Sequence, residues 1–164
     1  MSLVGRYDRL LDRLVAALRA HYRERLVAVA VFGSVGRGTP REDSDVDLLV
    51  VARDLPQGRF RRVDEFLAVE ADLEADLRRI DSTGAPVMLS PVFKTPAEVE
   101  LGSPLFLDMV QDARILYDPD GLLAARLDRL RARLAELGAR RIWRGNAWYW
   151  DLKPDLKPGE VITL

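Results

Sequence analysis

Apolar residues recur along this chain with two different periods, and each change of period marks a new element. Leu3, Tyr7, Leu10, Leu11, Leu14, Val15 and Leu18 fall three and four apart, so residues 3–20 predict an amphipathic helix. Residues 26–32 form a short, valine-rich run that stops at Gly33, the pattern of a buried strand. After the glycine-rich stretch 33–43, residues 46–51 predict a second strand, entered through Asp45 and left at Asp54-Leu55-Pro56. Helical spacing returns in Phe60, Val63, Phe66, Leu67, Leu73, Leu77 and Ile80, predicting a helix over 59–80 that ends at Asp81-Ser82-Thr83-Gly84.

Residues 86–93 predict a third strand. Thr95-Pro96-Ala97-Glu98 then has the chemistry of a helix start, with Thr95 as cap, Pro96 at the first position and Glu98 closing a capping box. Residues 113–117 predict another short strand. The turn Asp118-Pro119-Asp120-Gly121 leads into a last long helix ending near Gly138. Helices alternating with strands predict an α/β domain, a mixed β-sheet flanked by helices, over residues 1–139. Residues 140–164 are left as a C-terminal tail of interleaved aromatic and basic side chains.

Composition narrows the chemistry. At 164 residues, 48% hydrophobic and 31% charged, the chain suits one domain with a substantial core. A net charge of -1 gives no global basic field, so a nucleic acid would need a local patch. With no cysteine and a single histidine, His21, thiolate zinc sites, cysteine nucleophiles and histidine-rich metal centres are excluded. His21 itself reads as a helix-end residue. No apolar run approaches the ~20 residues needed to cross a bilayer. The N-terminus lacks the apolar block of a signal peptide, so a cytoplasmic protein is expected.

Candidate chemistry concentrates in VAVFGSVGRGTPREDSDVDLLVV. The first strand delivers Gly33 and Ser34 to its end. Gly33, Gly36 and Gly38 allow a tight turn and close approach of backbone to phosphate. Ser34 adds a hydroxyl, and Arg37 a guanidinium suited to phosphate oxygens or simply a surface charge. Asp45 and Asp47 are two apart, so on a strand they share a face, with Cα atoms roughly 7 Å apart. Both carboxylates can then reach one magnesium ion, which takes oxygen ligands and shares itself with substrate phosphates. Acids are depleted in strands, and Asp47 directly precedes an apolar run, a costly position unless it binds something. A P-loop reading fails because Thr39-Pro40, not lysine, follows Gly38. An EF-hand reading fails because Leu48 and Asp54 replace its glycine and closing glutamate.

Gly33-Ser34, then Arg37-Gly38, then Ser44-Asp45-Val46-Asp47-Leu48 resemble the signature of the DNA polymerase beta-type nucleotidyltransferase superfamily. The short chain is most similar to its minimal prokaryotic members, whose relatives include antibiotic-modifying enzymes and antitoxins acting on a helical toxin of the HEPN kind. The resemblance implies a nucleotidyltransferase fold and transfer of a nucleoside monophosphate, AMP if the donor is ATP, to an acceptor hydroxyl. It implies magnesium held by Asp45 and Asp47, with Gly33, Ser34 and Arg37 at the triphosphate. A HEPN-type protein is then the candidate partner and acceptor. One departure stands out. Active relatives add a third carboxylate from a neighbouring strand, and residues 86–93 contain no acid; Ser90 is the polar side chain there. Glu98 or Asp108 would have to supply it from the following helix, or a partner would, or the chain would be a binding module with little chemistry.

Two features fall outside that resemblance. Leu123, Leu127, Leu130, Leu134 and Leu137 form a stripe that either packs on the domain's own sheet or forms a self-association or partner seam, making a homo-oligomer. The tail carries Arg140, Arg141 and Arg144 among Trp143, Trp148, Tyr149 and Trp150. Such a mixture can stack on nucleic acid bases, but with net charge near zero docking or protein contact is the expectation.

Overall fold

The two periods resolve into helices and strands largely where they fall in the sequence. A computed structural model describes residues 2–78, 87–145 and 147–164. Helix α1, Leu3–Tyr22, is capped by the Ser2 hydroxyl, which accepts the Gly5 N–H, and it buries Tyr7, Leu10, Leu11, Leu14, Leu18 and Tyr22 along one stripe. A single 3₁₀ turn leads into β1, Leu26–Phe32, buried at every position. Residues Gly33–Gly36, read from the sequence as open loop, form one helical turn, α2. Strand β2 spans Val46–Ala52, and α3 spans Arg59–Leu77. The predicted end of that helix at 79–80, the loop 81–84 and the start of the third strand lie outside the described residues.

Strand β3, Leu89–Lys94, is followed by α4, Pro96–Leu101, whose capping box of Thr95 and Glu98 is complete. A second short helix, α5, Leu105–Asp112, comes next; the sequence did not separate it from α4. Gly102, with φ of +93°, ends α4 and makes that break. Strand β4, Arg114–Tyr117, and helix α6, Leu122–Glu136, complete the predicted set. The tail then folds into a hairpin of β5, Arg140–Arg144, and β6, Ala147–Asp151.

The main sheet has the order β3-β2-β1-β4. β1 runs antiparallel to both β2 and β4, while β2 and β3 are parallel, so the sheet is mixed. Alternate residues serve opposite faces. Val29, Val31, Leu48 and Val50 face the α1 and α3 side chains, and Ala30, Leu49 and Val51 face α4, α5 and α6. A sheet covered on both faces explains why β1 and β2 read as unbroken apolar runs rather than alternating ones. The leucine stripe of α6 is spent here: Leu123, Leu127, Leu130 and Leu134 are buried in the chain's own second core. Burying a leucine of this kind stabilises the fold by about 1.5–3 kcal/mol. No described helix is long and apolar enough to cross a membrane.

Candidate active site

Strand polarity assembles the site. Because β1 and β2 are antiparallel, the end of β1 lies beside the start of β2, with Phe32 opposite Asp47. Gly33 therefore leaves β1 directly against the Asp47 side chain. A Cβ added at Gly33 would sit 2.1 Å from Asp47 Oδ2, and φ there is +64°. Only glycine meets both conditions, so this glycine is required by the acid and not merely by the turn. Gly36 is needed for a second reason, since a Cβ there would approach the carbonyl oxygens of Asp112 at 2.7 Å and Val31 at 2.8 Å.

The loop between α2 and β2 is folded back on itself. Ser34 Oγ donates to Ser44 Oγ at 3.0 Å, and Ser44 Oγ also accepts the Arg41 N–H at 2.8 Å. From α1, the buried Tyr7 hydroxyl reaches the carbonyl oxygens of Ser44 at 2.8 Å and Arg41 at 3.1 Å. The serine assigned to phosphate is thus held in place by a loop pinned to the core.

Asp47 is half-buried, and Asp45 is exposed at the entry to β2. Neither carboxylate accepts a hydrogen bond or ion pair from a described residue. Burial raises the Asp47 carboxyl above the usual aspartate range, the neighbouring Asp45 charge raises it further, and Arg37 opposes them. Two neighbouring acids that repel each other and form no ion pair with a described residue make a donor set of hard oxygens, which fits a divalent cation. No third metal-ligating residue joins them among the described residues.

Ser90 lies opposite Asp47 on the parallel strand β3, and it is exposed. The strand position beside the acid pair is therefore a hydroxyl, as the sequence indicated. Neither proposed substitute fills it. Glu98 is committed elsewhere: its Oε2 accepts from the Thr95 N–H at 2.7 Å and Arg62 Nη1 at 2.8 Å, and its Oε1 from Arg62 Nη2 at 3.1 Å. The Arg62 hydrogen bonds hold this carboxyl below the usual glutamate range, so it is a poor base. Asp108 is raised by burial and then by Asp112, with Arg141 opposing; these charges belong to α5 and the hairpin, not to the acid pair.

Arg37 does lie beside the site, but its Nη1 donates to Asp112 Oδ2 at 3.3 Å. Asp112 escaped the sequence reading, because nothing in the pattern links the end of α5 to the glycine loop. His21 ends α1 within 3.8 Å of Glu65 Oε1, a position consistent with its reading as a helix-end residue.

A mixed sheet that sets Asp47, two residues after Asp45, against a glycine-serine turn is the frame of a nucleotidyltransferase, and a nucleotidyltransferase-domain family model matches residues 11–116. The chain belongs to that family. Within it, the chain is 31% identical over 126 residues to a candidate protein adenylyltransferase of Methanocaldococcus jannaschii, covering 76% of this chain and 80% of that one. It is 36% identical over 70 residues to the protein adenylyltransferase MntA of Thermococcus cleftensis, covering 41% of this chain and 71% of the relative. A solved structure of a mutant toxin–antitoxin MntA-HpeT superimposes with a TM-score of 0.50, covering 78% of this chain and 92% of that one. At 16% identity this last likeness is one of fold.

Proposed function

We propose that this chain is a protein adenylyltransferase, moving AMP from ATP to a hydroxyl of a partner protein, with a HEPN-type helical protein as the partner. The observation that carries the reading is the pair of neighbouring acids Asp45 and Asp47, with Asp47 packed against Gly33 and neither carboxylate in an ion pair with a described residue. Similarity to protein adenylyltransferases supports a protein acceptor over a small molecule.

In this reading Asp45 and Asp47 hold magnesium, and Gly33, Ser34 and Arg37 hold the β and γ phosphates. When bound, the metal offsets charge on the phosphates and on the departing pyrophosphate. The acceptor oxygen forms a bond to the α-phosphorus as the bond to pyrophosphate breaks. Ser90, beside Asp47, is no base, so the hydroxyl proton leaves to solvent or to a group of the acceptor protein. The chemical step is slow for that reason. Ser90 also supports a second reading, a binding module that pairs with a HEPN-type protein and transfers little.

Incubation with labelled ATP, magnesium and the protein encoded by the neighbouring gene separates these. The first reading predicts label on the neighbour, lost with Asp47→Asn. It also predicts that Ser90→Asp, which restores a carboxylate opposite Asp47, speeds labelling by about a hundredfold, the scale of general-base catalysis. A stable complex that never acquires label, from either protein, identifies the binding module instead.

A further inference from the structure

Asp112 accepts hydrogen bonds from two guanidinium groups on different parts of the chain. Arg37 Nη1, in the glycine loop, reaches Oδ2 at 3.3 Å, and Arg141 Nη1, in the C-terminal hairpin, reaches the same oxygen at 3.0 Å. The two arginines are held very differently. The Arg141 side chain is 8% exposed, against 34% for Arg37. Arg141 also stacks on two indoles, with its guanidinium carbon 4.8 Å from the Trp143 ring centre and 4.5 Å from that of Trp148. Its cross-strand neighbour is Trp150, whose indole N–H donates to the Leu107 carbonyl at 3.1 Å. The hairpin is thereby pinned to α5, the helix that carries Asp112.

We infer that Arg141 is a positioning residue, which neutralises Asp112 so that Arg37 is free to move onto the phosphates of a bound nucleoside triphosphate. The inference rests on the phosphate role proposed above for Gly33, Ser34 and Arg37. Asp112 is 10% exposed, and a carboxylate so placed keeps a cation beside it or loses stability. With one guanidinium available, Asp112 would compete with the phosphates for Arg37. With two, the trio carries a surplus positive charge, and the longer, more exposed contact is the one released. Arg141 stays, clamped between its indoles. The tail thus sets the affinity of a loop more than a hundred positions earlier in the chain.

Calorimetric titration of ATP with magnesium into four proteins tests this. Arg141→Gln is expected to weaken binding about tenfold, equivalent to one charge-assisted contact. Adding Asp112→Asn to Arg141→Gln is expected to restore affinity to within about twofold of the parent, because the competitor for Arg37 is gone. An arginine that only docked the hairpin would not be rescued by removing its own partner. Parent-like binding by Arg141→Gln, or a double variant as weak as the single, overturns the inference. Arg37→Gln tests the reading beneath it: parent-like affinity there removes Arg37 from the phosphates, whatever Arg141 does. Should Arg141→Gln lose its near-ultraviolet tryptophan signal and fail to fold, Arg141→Lys, which keeps a cation beside Asp112, decides. ATP affinity within about twofold of the parent supports neutralisation of Asp112, and a tenfold loss despite the retained charge overturns it.

Discussion

Asparagine at both Asp45 and Asp47 lowers adenylyl transfer by at least about a thousandfold, the rate equivalent of roughly 4 kcal/mol of lost metal stabilisation at the phosphates. The same variant melts at a higher temperature than the parent when no ligand is present. Burial first, and then repulsion from Asp45, raise the Asp47 carboxyl above its ordinary 3.8. A carboxyl raised in the folded state binds more protons there than in the unfolded chain, so stability falls as pH rises from about that ordinary value through the folded one. Above this window the cost is fully present, and below it the cost vanishes. Asparagine carries no charge at any pH, so the gain in melting temperature appears at pH 7 and disappears near pH 3. Melts at the two pH values, beside a labelling assay, check both halves. A variant that melts lower at pH 7 and still transfers label contradicts the account. Site residues that cost stability in the resting protein are the usual mark of function over packing.

Gly33→Ala is expected to destabilise by about 2–4 kcal/mol and to abolish ATP binding, through left-handed strain of about 1–2 kcal/mol plus a direct clash. The clash is the 2.1 Å approach of the new Cβ to Asp47 Oδ2, which must push that carboxylate off its position. Gly38→Ala is the control. Its φ of +73° imposes similar backbone strain, but nothing lies within 4 Å of its added Cβ. It should cost only the strain, about 1–2 kcal/mol. Denaturant unfolding of the two variants side by side decides; equal losses would mean that Gly33 is an ordinary turn glycine.

Where the sequence carried a long periodic signal, the fold was legible from it. The stripe of α1 and the doubly buried runs of β1 and β2 needed no other information, and Asp45 and Asp47 stood out as acids before an apolar strand. The Thr95–Glu98 capping box was equally plain. The turn at Gly33–Gly36 was not, since four residues containing two glycines are too few to display a helical period. The hairpin β5–β6 was missed despite a usable cue. Gly145-Asn146 sits between two short runs rich in strand formers, Ile142-Trp143 and Trp148-Tyr149-Trp150, a two-residue hairpin loop signature. Alternation puts Arg141 and Trp143 on one face, and pairing adds Trp148 and Trp150 to it. What no pattern could supply was the pairing of charges across elements. Glu98 turns to Arg62 on α3, and Asp112 bridges Arg37 to Arg141; both depend on how the helices cross the sheet.

Heat of ATP binding, titrated with magnesium present and again after chelation by EDTA, bears most directly on the acid pair. The parent should bind ATP with magnesium and lose at least about tenfold in affinity once the metal is removed, as expected where bound cation and phosphates share ligands. The Asp45→Asn, Asp47→Asn protein should bind weakly and identically in both conditions. Metal-dependent ATP binding of parental strength in that variant would contradict the assignment, and place the cation elsewhere in the molecule.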